Sequence, residues 1–176
     1  MKEEILSTET IFDGRIVHLQ VQTVRLPDDS ETKREVVKHR GAVAVVAVDD
    51  EDMILLVKQY RIAIQQVTIE IPAGILEPNE SPVDAAIREM QEETGYRPLN
   101  MQEIGGLHVA PGYTSEYIHL YYADGYEYEP LQQDGDEFVE HIRIPFTEAQ
   151  AMVTDGRIHE GKSLVGILKV AQMRNK

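Results

Sequence analysis

The chain has 176 residues, with 31 Asp plus Glu against 17 Lys plus Arg and a formal charge of −14. So acidic a surface repels polyanions, which argues against nucleic-acid binding and means that an anionic small substrate would need cations placed locally at its site. The absence of cysteine excludes disulfides and thiolate metal sites, the start Met1-Lys2-Glu3-Glu4-Ile5 is no secretory signal, and the longest apolar run, Ala42 to Val48, is too short to span a bilayer, so no membrane partner and a cytoplasmic location are expected.

The length suits one domain with a sizeable core. Residues 9–38 alternate polar and apolar in stretches such as His18 to Val24, which predicts strands, with Pro27-Asp28-Asp29-Ser30 as a turn between two of them. Ala42 to Val48 reads as a buried strand, Asp49 to Asp52 as a hairpin turn, and Met53 to Gln59 as the return strand. Residues 81–95 predict a helix: Ser81 as N-cap, Pro82 at the first helical position, Asp84 completing a capping box, and Gly95 as the stop. Val83, Ala86, Ile87 and Met90 would make its apolar stripe. Further strands are expected near 101–109, 116–123 and 138–144. From Thr147, taken as a cap, the tail reads as helical, with Gly156 separating two helices and Leu164, Ile167, Leu168 and Ala171 as a buried stripe. This order predicts a mixed sheet covered by helices, without internal repeat or long linker.

The predicted helix carries Glu89, Glu92 and Glu93 at i, i+3 and i+4 on one face, where like charges repel. Arg88 can pair with Glu92 but cannot neutralise all three. Two readings fit such a face: an ordinary solvated acidic surface, or a site for hard divalent cations, which prefer oxygen ligands.

The residues around the helix favour the second. Gly74, five residues, Glu80, seven residues, then Arg88-Glu89-Met90-Gln91-Glu92-Glu93-Thr94-Gly95 resembles the signature of the Nudix hydrolases, which cleave nucleoside diphosphates linked to another group. Tyr96 departs from the usual aliphatic residue at a position that resembles a packing site. The resemblance implies an α/β fold: a Nudix-type α/β/α sandwich around a mixed sheet over residues 41–176, with residues 1–40 as a small all-β extension.

Other features are similar to the members that act on ADP-ribose: Pro111, fifteen residues after Tyr96 and followed by Gly112; Arg34-Glu35 before the first buried strand; Gln59-Tyr60-Arg61 at the end of the second; and Glu70-Ile71-Pro72-Ala73-Gly74 leading into the signature. The resemblance implies hydrolysis of ADP-ribose to AMP and ribose 5-phosphate. It implies metal ligands at Glu89 and Glu93, with Glu92 assisting and the backbone carbonyl of Ala73 joining them; the ion would be Mg2+, for which Mn2+ can substitute. Arg88 would orient the acidic cluster, and Glu80 would anchor the loop to the helix. Arg34, Glu35, Arg61, Glu70, Pro111, Gly112 and Ser115 become candidate substrate contacts, since a guanidinium can hold phosphate bidentately. The general base would come from the acidic stretch 132–140, at Glu137, with Asp136 and Glu140 as alternatives. The similar enzymes are dimers that exchange N-terminal strands, so a homodimer is expected. Two alternatives stay open: a GDP-sugar or dinucleoside polyphosphate as substrate, and a nucleotide-sensing module of this fold that does not hydrolyse.

Overall fold

The computed structural model describes residues 1–132 and 138–175. The chain divides into two compact units, residues 1–41 with 108–117, and residues 42–107 with 118–176.

The first unit is an antiparallel three-stranded sheet in the order β1 (Glu4–Asp13), β2 (His18–Arg25), β3 (Glu31–Lys38). The turn before β3 forms as expected: Asp28 Oδ1 accepts from the Ser30 amide at 3.1 Å, and Asp29 takes φ 64°. Strand β1 starts earlier than its alternation suggests, and every one of its residues is exposed. Ile5, Ile11 and Phe12 are each at least half exposed, so this strand does not bury an apolar face within the unit.

The second unit is built on β4 (Ala42–Val48) and β5 (Met53–Arg61). All seven residues of β4 are buried. The hairpin between them closes on Asp49, whose Oδ1 accepts from the amides of Glu51 at 3.1 Å and Met53 at 2.9 Å. Then come β6 (Gln66–Glu70), paired with β5, and β7 (Ala73–Ile75), paired with β4. Helix α1 (Pro82–Thr94) follows, then β8 (Tyr96–Pro98), β9 (Met101–His108), β10 (Tyr117–Asp124), β11 (Tyr126–Tyr128) and β12 (Val139–Pro145). The chain ends in α2 (Phe146–Thr154) and α3 (Gly161–Arg174). The main sheet runs β12-β5-β4-β10-β9 and is mixed, because β10 is parallel to β4 while β5 is antiparallel to it.

Alternation along β4 builds two cores. Ala42, Ala44, Val46 and Val48 pack with Phe146, Ala149, Ile167 and Val170 of α2 and α3; Val43, Val45 and Ala47 pack with Ala85, Ala86 and Met90 of α1. This is the expected α/β/α sandwich. Among the described residues no helix is long and apolar enough to cross a membrane.

Three local expectations are corrected. Thr147 is not a cap: extended Pro145 ends β12, the helix starts at once on Phe146, and the Phe146 amide donates to the Asp52 carbonyl at 2.8 Å. Val83 is 39 % exposed, because α1 first meets the sheet at Ala85 and Ala86. Leu168 is 54 % exposed. Helix α3 approaches the sheet through Gly166, so its buried stripe is Ser163, Gly166, Ile167, Val170 and Ala171. The strands β7, β8 and β11, of three residues each, are too short to show a period, whereas β6 alternates polar and apolar but buries its polar Thr68 and Glu70. Tyr96, in contrast, packs as its position suggested, edge-on to Tyr126 and Tyr128 at 5.3 and 5.5 Å between ring centres.

A Cβ on Gly166 would lie 2.9 Å from Val46 Cγ2 and 3.1 Å from Ile71 Cδ1, both in the core. Gly166→Val is therefore expected to cost roughly 1–3 kcal/mol by overpacking, seen as a lower urea midpoint at unchanged slope.

Candidate active site

Helix α1 forms for the reasons its sequence carries. Ser81 Oγ accepts from the Asp84 amide at 3.2 Å, Pro82 opens the first turn, and Gly95 closes the helix at φ 79° with its amide on the Gln91 carbonyl. The buried line Ala86, Met90 and Glu93 then places one carboxylate on the core side, with Glu93 only 5 % exposed.

Arg88 gathers the remaining carboxylates. Its Nε and Nη2 donate to the two oxygens of Glu80, both at 2.8 Å, and its Nη1 donates to Glu89 and Glu92, both at 2.8 Å. Nη2 also reaches the Ile75 carbonyl at 3.3 Å. Pairing with Glu80 first, and with Glu89 and Glu92 besides, raises the Arg88 pKa, and the same bonds hold Glu80 below the usual carboxylate range. Glu80 also accepts from the Glu77 amide at 3.0 Å, which fastens the loop to the helix.

Glu93 is held differently: the Ala73 amide donates to its Oε2 at 2.9 Å. Ala73 thus meets the cluster through its N–H. Gly74 lies against the Glu89 carboxylate so closely that an added Cβ would fall inside it. A side chain there would displace the Glu89 carboxylate, and because the Gly74 φ is not in the left-handed region it is space, not backbone conformation, that favours glycine. Among the described residues no three acidic or imidazole groups already converge as a metal cage. The donor chemistry nonetheless fits a hard divalent cation: one guanidinium faces three carboxylates with a fourth, Glu93, beside them on the helix, every donor is oxygen, and the glycine leaves the Glu89 group unobstructed by a side chain.

A second charged group lies in the same unit. Glu70 is 1 % exposed and accepts from Arg61 Nε at 2.8 Å and Nη2 at 2.7 Å, from Thr68 Oγ1 and from Lys162 Nζ. Burial pushes the Glu70 carboxyl up, but the Arg61 fork, then Lys162 and Thr68, more than reverse this and hold it down to about 2. Glu70 is thus a buried partner of Arg61, which itself stays 41 % exposed and feels the charges of Glu93 and Glu160. Sequence reading missed Lys162. The available signal was a lysine in the first turn of a helix, where the dipole disfavours a cation.

In the first unit Arg34, Glu35 and Gly112 line an open cavity of about 540 Å³ together with Glu9, Ile11, Val21, Lys33 and Tyr113. Arg34 is held by Glu3 at 2.8 and 3.1 Å. Ser115 does not line this cavity; its Oγ accepts from the His39 amide at 2.9 Å. Pro111 lies in the adjoining turn. Glu137 and Asp136 lie outside the described residues. Glu140 is on β12, its carboxylate 3.2 Å from Lys58.

A profile of the NUDIX domain matches residues 38–164, and one described as the nucleoside diphosphate sugar hydrolase N-terminal domain matches residues 3–37. The methanol dehydrogenase activator of Bacillus methanolicus is 41 % identical over 168 residues, covering 94 % of this chain and 91 % of that protein. The ADP-ribose pyrophosphatase of Bacillus subtilis (strain 168) is 38 % identical over 169 residues, covering 95 % and 91 %. A crystal structure described as an ADP compounds hydrolase aligns with a TM-score of 0.89 over 99 % of this chain and 95 % of its own, at 23 % identity, a likeness of fold alone.

Because Glu70 is depressed from 4.5 to about 2 in the folded state, it contributes stability above pH 4.5 that is lost as pH falls from 4.5 towards 2. The contribution is about 3 kcal/mol. Urea midpoints followed through this window should fall in the native protein, and Glu70→Gln should remove that part of the slope while lowering stability at neutral pH.

Proposed function

This chain belongs to the NUDIX family, and we propose that within it the protein is a hydrolase that cleaves the diphosphate bond of ADP-ribose, releasing AMP and ribose 5-phosphate. The observation that carries this reading is the α1 face, where Arg88 holds Glu89 and Glu92 while the Ala73 amide holds Glu93. The substrate is argued from the relative named ADP-ribose pyrophosphatase, which matches nearly the whole chain.

Glu89, Glu92 and Glu93, with the Ala73 carbonyl, would hold Mg2+ or Mn2+, which when bound supplies charge neutralisation of the diphosphate and a more acidic water. Arg88 keeps the glutamates from splaying apart under their own repulsion. Arg61 offers its guanidinium to a diphosphate oxygen, and Arg34 and Glu35 serve the adenine end. Glu137 accepts the proton of the attacking water, with Asp136 and Glu140 as the alternatives. Water adds to one phosphorus as the other phosphate departs. The N-terminal profile, described for nucleoside diphosphate sugar hydrolases as a class, supports a second reading in which another nucleoside diphosphate sugar is preferred. A non-hydrolysing sensor is disfavoured, because every carboxylate of the signature is present.

The test is a panel of ADP-ribose, GDP-sugars and dinucleoside polyphosphates with release of the nucleoside monophosphate as readout. ADP-ribose should be turned over fastest, with all activity lost in EDTA and restored by Mg2+. Glu93→Gln should lower kcat about a hundredfold or more, and Glu137→Gln by roughly 10²–10⁴ at little changed substrate affinity. Full activity in chelator would sink the mechanism; an unaffected Glu137→Gln with a large loss in Asp136→Asn or Glu140→Gln would move the base.

The exposed apolar residues of β1, together with Ile16 and Val17, suit a homodimer that exchanges N-terminal strands, with the segment from Phe12 to Ile16 and Arg34-Glu35 serving the partner's adenine pocket. Light scattering should give a dimer at micromolar concentration, and deletion of residues 1–38 should abolish both dimer and hydrolysis. A fully active monomer rules the exchange out.

A further inference from the structure

Lys162 sits in the first turn of α3 and is only 7 % exposed, a costly place for an ammonium both by burial and by the helix dipole. Two carboxylates offset that cost. Lys162 Nζ pairs with Glu70 Oε2 and lies 3.0 Å from Glu160 Oε2. Glu160 is also the N-cap of α3, accepting from the amides of Lys162 at 3.0 Å and Ser163 at 3.2 Å and from Ser163 Oγ at 2.8 Å. Ser163 Oγ in turn accepts from the Ile71 amide at 2.9 Å. The first turn of α3 is thereby tied to the segment that runs from Glu70 to Ala73, whose amide holds Glu93.

Each Glu70 oxygen has two donors. Oε1 takes Arg61 Nε and Thr68 Oγ1; Oε2 takes Arg61 Nη2 and Lys162 Nζ. The fork of Arg61 is thus fully engaged, and its Nη1 has no hydrogen-bond partner among the described residues. Arg61 and Lys162 together balance Glu70 and Glu160; without the ammonium the two carboxylates would outweigh the guanidinium by one charge. With it, the guanidinium is held in place and is not outweighed. A preorganised fork also loses less entropy when it binds an anion.

We propose that Lys162 is a positioning residue for hydrolysis, sharing Glu70 so that Arg61 stays oriented, is not outweighed by the carboxylates beside it and keeps its Nη1 edge for the substrate diphosphate. The inference rests on the reading of Arg61 as the diphosphate contact. It assigns the N-terminus of α3 a part in substrate binding, although Lys162 itself touches no substrate.

A double-mutant cycle on the full chain, with ADP-ribose and Mg2+, tests it. Arg61→Met should lower kcat/KM by about a hundredfold. Lys162→Met should lower it by about tenfold, mostly through KM, and Lys162→Arg should restore it to within about threefold of native. In the Arg61→Met background, Lys162→Met should change kcat/KM by less than about twofold. Additive losses overturn the inference, and so does a Lys162→Met protein of native kcat/KM, which would leave Lys162 a fastening between α3 and β6 seen in the melting temperature alone. An Arg61→Met protein of native kcat/KM instead overturns the reading of Arg61 and the inference with it. If Lys162→Met does not fold, Lys162→Gln, which is shorter but retains a polar donor without the charge, takes its place in the cycle with the same expected and excluding outcomes.

Discussion

One guanidinium among four carboxylates is the interaction on which the site depends. Glu89, Glu92 and Glu93 crowd little more than one turn of α1, and Glu80 comes from the loop before it; left alone they would repel one another and loosen both loop and helix. Arg88, largely buried at 22 % exposure, spends all three nitrogens on Glu80, Glu89 and Glu92. The pairing is charge-assisted and bidentate at Glu80, so it sets geometry as well as charge. Gly74 belongs to the same device, since the volume its missing side chain leaves is filled by the Glu89 carboxyl. The cluster keeps a negative surplus, which suits a cation and does not suit a bare phosphate.

The opposite balance holds at Glu70. There one buried carboxylate meets two cations and a hydroxyl, and Lys162 is balanced in turn by Glu160, so the guanidinium of Arg61 is not outweighed. A chain with net charge −14 offers no general attraction to an anionic substrate, so any attraction must be made locally. In the proposed reaction the two groups would do this in complementary ways: one presents oxygens for a cation, the other a guanidinium whose Nη1 has no hydrogen-bond partner among the described residues. Glu93 links them electrostatically, since Arg61 feels its charge.

Much of the scaffold could be read along the chain because its signals are local. Seven consecutive apolar residues, four of them β-branched valine and followed at once by a turn, make β4 legible as a buried strand, and Asp49 to Asp52 close the hairpin with a side-chain turn that the sequence spells out. The errors fall where a neighbour overrides the local rule. Thr147 has the chemistry of a cap, but the Asp52 carbonyl and extended Pro145 start α2 two residues earlier. Leu168 fits an apolar stripe, but the close approach of α3 at Gly166 turns that face outward. Strands of three residues such as β7 and β11 are too short to show a period and exist through their partners, Ala42 to Ala44 and Tyr96 to Pro98.

By itself the sequence determined the chemistry of α1: its cap, its stop, its apolar line and its carboxylates at i, i+3 and i+4 all follow from one helical repeat, which needs no knowledge of what packs against it. It also determined that the glycine loop and the helix belong to one signature. Only the tertiary structure decided which of those carboxylates is buried, that Ala73 meets Glu93 through its amide, and that Ser115 is bound to His39. It alone paired Glu70 with Lys162, 92 residues away, and so turned Glu70 from a candidate substrate contact into the buried support of Arg61. The reason is physical: spacing along a helix fixes which side chains share a face, but the partner of a buried charge is set by which distant element closes over it.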